Sequence, residues 1–184
     1  LFALIHQYSV QITPIFVIKE SYQGKQVENK FIHSDEAQFC TIAIDPIISE
    51  GIVRIEIILG NTRGIGYAMG IADASCSFTV GNSPYFRGTE NLATQPWVHL
   101  IKKYSVGQKV EIEVDMTTIP RRVTFFVDDV EQPYYVIGIP SEIRFWVYIY
   151  NKSSSFTITK FERLIKSSAK GVPDSKVLEW GKKW

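Results

Sequence analysis

Residues 109–116, KVEIEVDM, alternate polar and apolar side chains without a break: Val110, Ile112, Val114 and Met116 fall on one face, and Lys109, Glu111, Glu113 and Asp115 on the other. A repeat of two belongs to an extended strand with one dry and one solvated face. A helix cannot present it, because a helix returns to the same face only every ~3.6 residues. The pattern recurs along the chain. In 51–59, Val53, Ile55, Ile57 and Leu59 oppose Arg54 and Glu56; in 122–127, Val123, Phe125 and Val127 share a face. In 65–72, Ile65, Tyr67, Met69 and Ile71 stand against Gly66, Ala68, Gly70 and Ala72, and a face of glycine and alanine leaves room for another layer to come close. Residues 155–161 read as a further strand, and 8–12, 15–20 and 40–44 as three more, while helical periodicity is nearly absent. Short strands separated by turn signals predict an all-β chain built as an antiparallel two-sheet β-sandwich.

The chain has 184 residues, 45% of them hydrophobic, which suits one globular domain with a single core. Its net charge is +1 and its basic residues are scattered, so the electrostatic footprint of a nucleic-acid binder is missing. No apolar run reaches the ~20 residues that would cross a bilayer, and no membrane partner is expected. Cys40 and Cys76 form neither a disulfide framework nor a metal-ligand spacing; two reduced, half-buried thiols are expected, with a single bridge as the alternative. The opening LFALIHQY lacks both Met and a basic n-region, which reads as a cytosolic domain cut from a longer, multidomain chain.

The order of motifs is more specific than any one of them. Ile44-Asp45-Pro46 is followed by Ile48-Ser49-Glu50-Gly51 and then by the strand Val53-Arg54-Ile55-Glu56-Ile57. After these come Ile65-Gly66-Tyr67-Ala68, Val106-Gly107, Val114-Asp115, Thr124-Phe125-Phe126, an acidic turn at Asp128-Asp129, an extended Tyr134-Tyr135 and Phe145-Trp146-Val147. This series resembles the SPRY domain, a β-sandwich used as a protein-binding module, over roughly residues 31–164. Two departures mark a divergent branch: the central strand has no tryptophan, and Asp128-Asp129 stands where the family has an Asn-Gly turn. Independently of the resemblance, Pro120-Arg121-Arg122 can reverse the chain, pairing 124–126 with 111–116 and setting Phe125 in the core opposite Val114 or Ile112.

Catalytic and metal chemistry is weakly represented. Glu111, Glu113 and Asp115 share a face as the carboxylate pair of a sandwich glycosidase would, but a second acid further along and a tryptophan-lined cleft are missing, so a solvated strand face is expected. His6, His33 and His99 are isolated from Cys and paired carboxylates and read as surface or capping histidines. There is no Gly-x-Ser-x-Gly elbow and no Walker-type loop, and Gly60-Asn61-Thr62-Arg63-Gly64 reads as a turn. No enzyme activity, metal or cofactor is expected.

The SPRY resemblance implies binding through loops gathered at one edge of the sandwich, in the manner of an adaptor that recognises a short peptide or protein surface. Motif order puts three segments there: the one around Asp35, the long loop 75–96 with Tyr85-Phe86, and the turn Tyr150-Asn151-Lys152, with Tyr150 as an aromatic wall. Trp97 joins them as an aromatic at a segment end, since Tyr and Trp give large contact area at low entropic cost. Two other readings stay open: a lectin-like carbohydrate binder, with Asp128-Asp129 as the nearest calcium ligands unless they make a hairpin turn, and a purely structural domain. Residues 1–30 are expected to be strands or a linker packing on the sandwich, 31–165 the sandwich itself, and 166–184 a tail. Within that tail a helical turn over 175–184 would dock Val177, Leu178 and Trp180, with Trp184 beyond.

Overall fold

The computed structural model describes residues 9–36, 38–62, 67–78 and 105–182, and the backbone of 97–99. The strands are β1 (Val10–Gln11), β2 (Ile15–Val17), β3 (Gly24–Val27), β4 (Lys30–His33), β5 (Cys40–Ile48), β6 (Ile52–Gly60) and β7 (Tyr67–Asp73). They continue with β8 (Trp97–His99), β9 (Lys109–Asp115), β10 (Arg122–Val127), β11 (Val130–Ile137), β12 (Ile143–Ile149), β13 (Ser155–Leu164) and β14 (Lys176–Glu179). Nine form one sheet, in the order β14-β11-β10-β9-β6-β13-β4-β3, with β1 beside β13; the other five form a second sheet, β2-β5-β12-β7-β8. The expected two-sheet sandwich is the observed architecture. Among the described residues the only helical turn is a 3₁₀ turn at Ser21–Gln23.

The inward faces are those the alternation marks. Val53, Ile55 and Ile57 of β6, Val110, Ile112 and Val114 of β9, and Val123 and Phe125 of β10 are all buried in one core with Ile42, Ile44, Phe145 and Val147 of the smaller sheet. Phe125 stands opposite Ile112 in register. Aromatic rings bind the two sheets: Phe16 of β2 lies 5.2 Å from Phe156 of β13, and Phe145 of β12 lies edge-on to Phe161 of β13 at 5.7 Å. The small-residue face of β7 also acts as read. Met69 and Ile71 point into the core, while Ala68 and Ala72 line the outer side of the five-stranded sheet with Trp146 and Tyr148, covered by Phe39, Cys76 and Phe78. Gly70 stands directly opposite Trp146 in register, leaving that outer layer space for the indole.

Two expectations are corrected. The polar face of β9 is not solvated: Glu111 is 1% exposed, Glu113 2%, and Asp115 is buried. The C-terminal segment lies over it, with Ser167 and Ser168 bonding Glu113, and Asp115 turns its carboxylate onto the Thr117 N–H and hydroxyl. The tail itself docks as a strand rather than a helical turn. β14 pairs in parallel with β11, from Tyr134↔Lys176 to Ile137↔Glu179, and adds an edge to the larger sheet. Leu178 and Trp180 pack against the core, whereas Val177 is 50% exposed. A ladder supplies main-chain partners that an isolated turn would lack, and the β-branched Val177 suits it. Trp184 lies outside the described residues.

Candidate functional site

Two connections meet at one end of the sandwich. The loop from β4 to β5 carries Ser34, Asp35, Glu36, Gln38 and Phe39; the turn from β12 to β13 carries residues 150–154. The backbones are cross-linked by His33 N–H to the Ser154 carbonyl at 2.8 Å and by Ser153 N–H to the Ser34 carbonyl at 3.0 Å. Ser153 Oγ then donates to Asp35 Oδ1 at 2.6 Å, and Asn61, from the connection after β6, donates its side-chain amide to the Ser153 carbonyl at 3.1 Å. Ser153 reaches these partners from a left-handed backbone (φ 55°). His33 is buried with both ring nitrogens against carbonyl oxygens, Nδ1 at 3.0 Å from Ser34 and Nε2 at 3.2 Å from Gln38, so it braces the loop from inside rather than capping the surface.

The aromatic part of this end is Tyr150, 37% exposed, with its ring centroid 5.2 Å from that of Phe39. Phe39 is in turn 6.2 Å from Tyr148, which ties the exposed ring to the buried outer layer of the five-stranded sheet. Asp35, Glu36 and Lys152 are exposed, and Asn151 is half-buried with its carbonyl held by the Ser154 N–H and hydroxyl. This end presents the Tyr150 ring, backed by Phe39, flanked by both signs of charge.

Of the residues expected at this edge, Asp35, Tyr150, Asn151 and Lys152 come together. The backbone of Trp97 stands opposite Ala72, whereas the end of β7 that meets Ile149 is Tyr67, so Trp97 belongs to the far end of the strand. Tyr85 and Phe86 lie outside the described residues, as do His6 and most of the long loop 75–96. The sequence reading missed Phe39 and Ser153. A lone aromatic before a strand and a serine in a turn carry no periodic signal; only their meeting across the fold marks them.

A second concentration of charge lies on the outer face of the nine-stranded sheet. Glu56, Glu111 and Asp129 bring carboxylate oxygens within 4.8 Å of one another. Three cations stand among them. Arg54 Nη2 is 2.7 Å from Glu111, Lys109 Nζ is 2.7 Å from Asp129 and 3.8 Å from Glu56, and Lys160 Nζ is 3.5 Å from Glu56. Arg54 also lies over the Phe126 ring at 4.4 Å. Burial pushes the Glu111 carboxyl up to about 7, opposed by the Arg54 guanidinium and reinforced by contact with Asp129. Burial also works on Glu56, but the Thr159 hydroxyl at 2.5 Å and the Lys160 and Lys109 ammoniums outweigh it and hold that carboxyl below its ordinary value. Asp128 and Asp129 make the two-residue hairpin turn between β10 and β11, both left-handed (φ 49° and 65°), as a type I′ turn requires. Asp128 accepts from the Lys109 N–H and the Gln108 amide, and Asp129 from Lys109 Nζ, so the turn carboxylates are engaged in closing the hairpin.

No family model and no curated protein matches the chain. Solved structures do. The SPRY domain of human HERC1 superposes with a TM-score of 0.50 at 11% identity, covering 83% of this chain and 98% of that one. The PSpry domain of TRIM65 gives 0.49 at 10% identity over 73% of this chain and 83% of that one. A lectin, UEA-II complexed with galactose, gives 0.45 at 8% identity over 82% of this chain and 91% of that one. The chain therefore has a SPRY-like β-sandwich fold.

Proposed function

We propose that this chain is a non-enzymatic protein-interaction module that recognises a short peptide or protein surface through the end of the sandwich where Asp35 meets Ser153. The observation that carries the reading is the join itself: two loops far apart in sequence are locked by the 2.6 Å Ser153–Asp35 hydrogen bond, with the Tyr150–Phe39 ring pair presented beside it. A pre-ordered aromatic surface pays little ordering entropy on binding. The SPRY-like fold supports the same reading at the level of architecture. Tyr150 serves as the wall of the site, Asp35 and Lys152 set the charge pattern of the partner, and Asn151 supplies hydrogen bonds. In this reading the module works as an adaptor domain in the cytoplasm.

Selection of the purified chain against a random peptide display library tests this. Selected peptides are expected to lose about tenfold or more in affinity with Tyr150→Ala, a loss typical of a contact worth more than ~1.4 kcal/mol. Asp35→Ala and Lys152→Ala are expected to weaken binding less, and Trp180→Ala, on the other side of the molecule, not at all. Peptides that bind Tyr150→Ala and Asp35→Ala as tightly as the unmodified chain would place the site elsewhere. Calcium-dependent signals on a glycan array, with no peptide selected, would favour carbohydrate recognition instead.

A further inference from the structure

The segment between β13 and β14 is fastened to the sheet by the sheet's own carboxylates. Ser167 Oγ donates to Glu113 Oε1 at 2.6 Å while accepting the Ala169 N–H at 3.1 Å. Ser168 gives the same carboxylate its backbone N–H, at 3.1 and 3.2 Å, and its hydroxyl, and it accepts Arg54 Nη1 at 2.6 Å. One step on, the Glu131 carboxylate takes the N–H groups of Lys170 at 2.7 Å and Gly171 at 3.1 Å. Residues 167–172 have no regular secondary structure, so side-chain anchors replace a ladder. Glu113 is buried, and the arginine nearest to it, Arg54 at 4.0 Å, is already engaged with Glu111 at 2.7 Å. The strap's donors are what keep Glu113 satisfied.

We propose that Ser167 is a phosphorylation site, and that its modification lifts the strap 166–172 off the outer face of β9 and β11. As a hydroxyl, Ser167 donates to a buried carboxylate. As a phosphate ester it would lose that donor and place about −1.5 to −2 charges against Glu113, and like-charge repulsion with desolvation drives such groups apart. Ser168 is the poorer switch, because Arg54 already touches its oxygen and would pair with a phosphate there. The stretch that carries both serines is accessible. Ser167 is half-buried, with Ile165 and Lys166 exposed before it and Lys170 and Gly171 exposed after it. A stretch held without a ladder opens more readily than a strand.

The flanks define the enzyme class. Lys160, Arg163, Lys166 and Lys170 surround Ser167, with Glu162 the one acid in 160–173, so the partner is a serine kinase whose peptide groove is acidic. In the transfer, a bond forms between Ser167 Oγ and the γ-phosphorus of a nucleoside triphosphate as the bond to the bridging oxygen breaks. The nucleoside diphosphate leaves with that electron pair, and the hydroxyl proton passes to the kinase's base.

Two measurements test this on the whole chain. In the first, phosphoserine is installed at position 167 during translation, and exchange of the Ser168, Lys170 and Gly171 amides is followed by NMR. Ser167→Ala, which loses one hydrogen bond, is expected to speed exchange about fivefold. Phosphoserine is expected to speed it at least about tenfold more. Adding Glu113→Gln, whose amide can donate to the phosphate, should recover most of the difference. Equal exchange in the phosphorylated and Ser167→Ala chains, or no recovery with Glu113→Gln, would overturn the proposal. In the second, the folded chain is incubated with a triphosphate, magnesium and a serine kinase that favours basic flanks, alongside a 160–173 peptide. Phosphate mapped to Ser167 of the folded chain is the expected result. Modification of the peptide alone, or of another residue, would overturn it.

Discussion

Glu111 is held at 1% exposure between an arginine and a second carboxylate, with its pKa raised to about 7 by burial first and the Asp129 contact second. In the unfolded chain the same group titrates near 4.5. The native state therefore keeps a proton that the unfolded state releases, and the contribution is fully present below the unfolded value and lost as pH rises through about 7. The loss amounts to at most about 3 kcal/mol. Asp128, Asp129 and Glu56 have lowered values, so their contributions are lost on the acid side instead, in a separate window. Urea unfolding between pH 5 and 8 should thus show stability falling with pH, and Glu111→Gln should remove most of that slope. A slope unchanged in Glu111→Gln would mean that another group titrates there. Cys40 offers a second check at this scale. Burial, only partly offset by Gln23, pushes its thiol up to about 12, and neither Cys40 nor Cys76 is in a disulfide. At pH 8 iodoacetamide should alkylate Cys76 in the folded chain and Cys40 only after unfolding; rapid labelling of Cys40 in the native state, mapped by mass spectrometry, would contradict this.

The strap and β14 show what an element can hide from its sequence. Alternation fixed the dry face of β9 correctly, because apolar side chains at period two have one way to be buried. It misread the other face, because Glu113 looks the same whether it meets water or the serines of a strap that arrives more than 50 residues later, and Glu111 whether it meets water or Arg54. The tail's apolar residues announced docking but not conformation, since four residues of SKVLEW hold no period that separates a turn from an edge strand. At the candidate site the same limit applies. Motif order made Asp35 and Tyr150 legible as neighbours, but Ser153 finds Asp35 across 118 residues, and no local pattern encodes such a bond. The tail's hold on the core is testable through Trp180, whose ring packs on it while its backbone N–H donates to the Ile137 carbonyl at 2.9 Å. Trp180→Ala is expected to lower stability by about 1–3 kcal/mol, below the value for a fully buried tryptophan because the ring is only partly covered. A denaturation midpoint unmoved by the change would show that β14 contributes nothing to the sandwich.

Across the whole molecule, the chain passes repeatedly between the two sheets: β2 and β5 lie in the smaller, β3, β4 and β6 in the larger, and β12 lies between β11 and β13 in sequence but in the opposite layer. Neither sheet can be completed before the other has begun, and their inner faces form one core rather than two. Phe156 sits at the hinge of this dependence. It is fully buried, 5.2 Å from Phe16 of the five-stranded sheet and 5.4 Å from Phe31 of its own sheet. Removing the ring should therefore act on both layers together. Phe156→Ala is expected to cost about 3–5 kcal/mol, the range for a large buried aromatic whose cavity cannot fully collapse. The loss should appear as a single cooperative transition at lower denaturant. Native-state hydrogen exchange gives the sharper reading, because the most protected amides of β12 and of β13 should lose protection by the same factor. Loss confined to β13 and β4, with β12 unchanged, would mean that the sheets unfold as separate units.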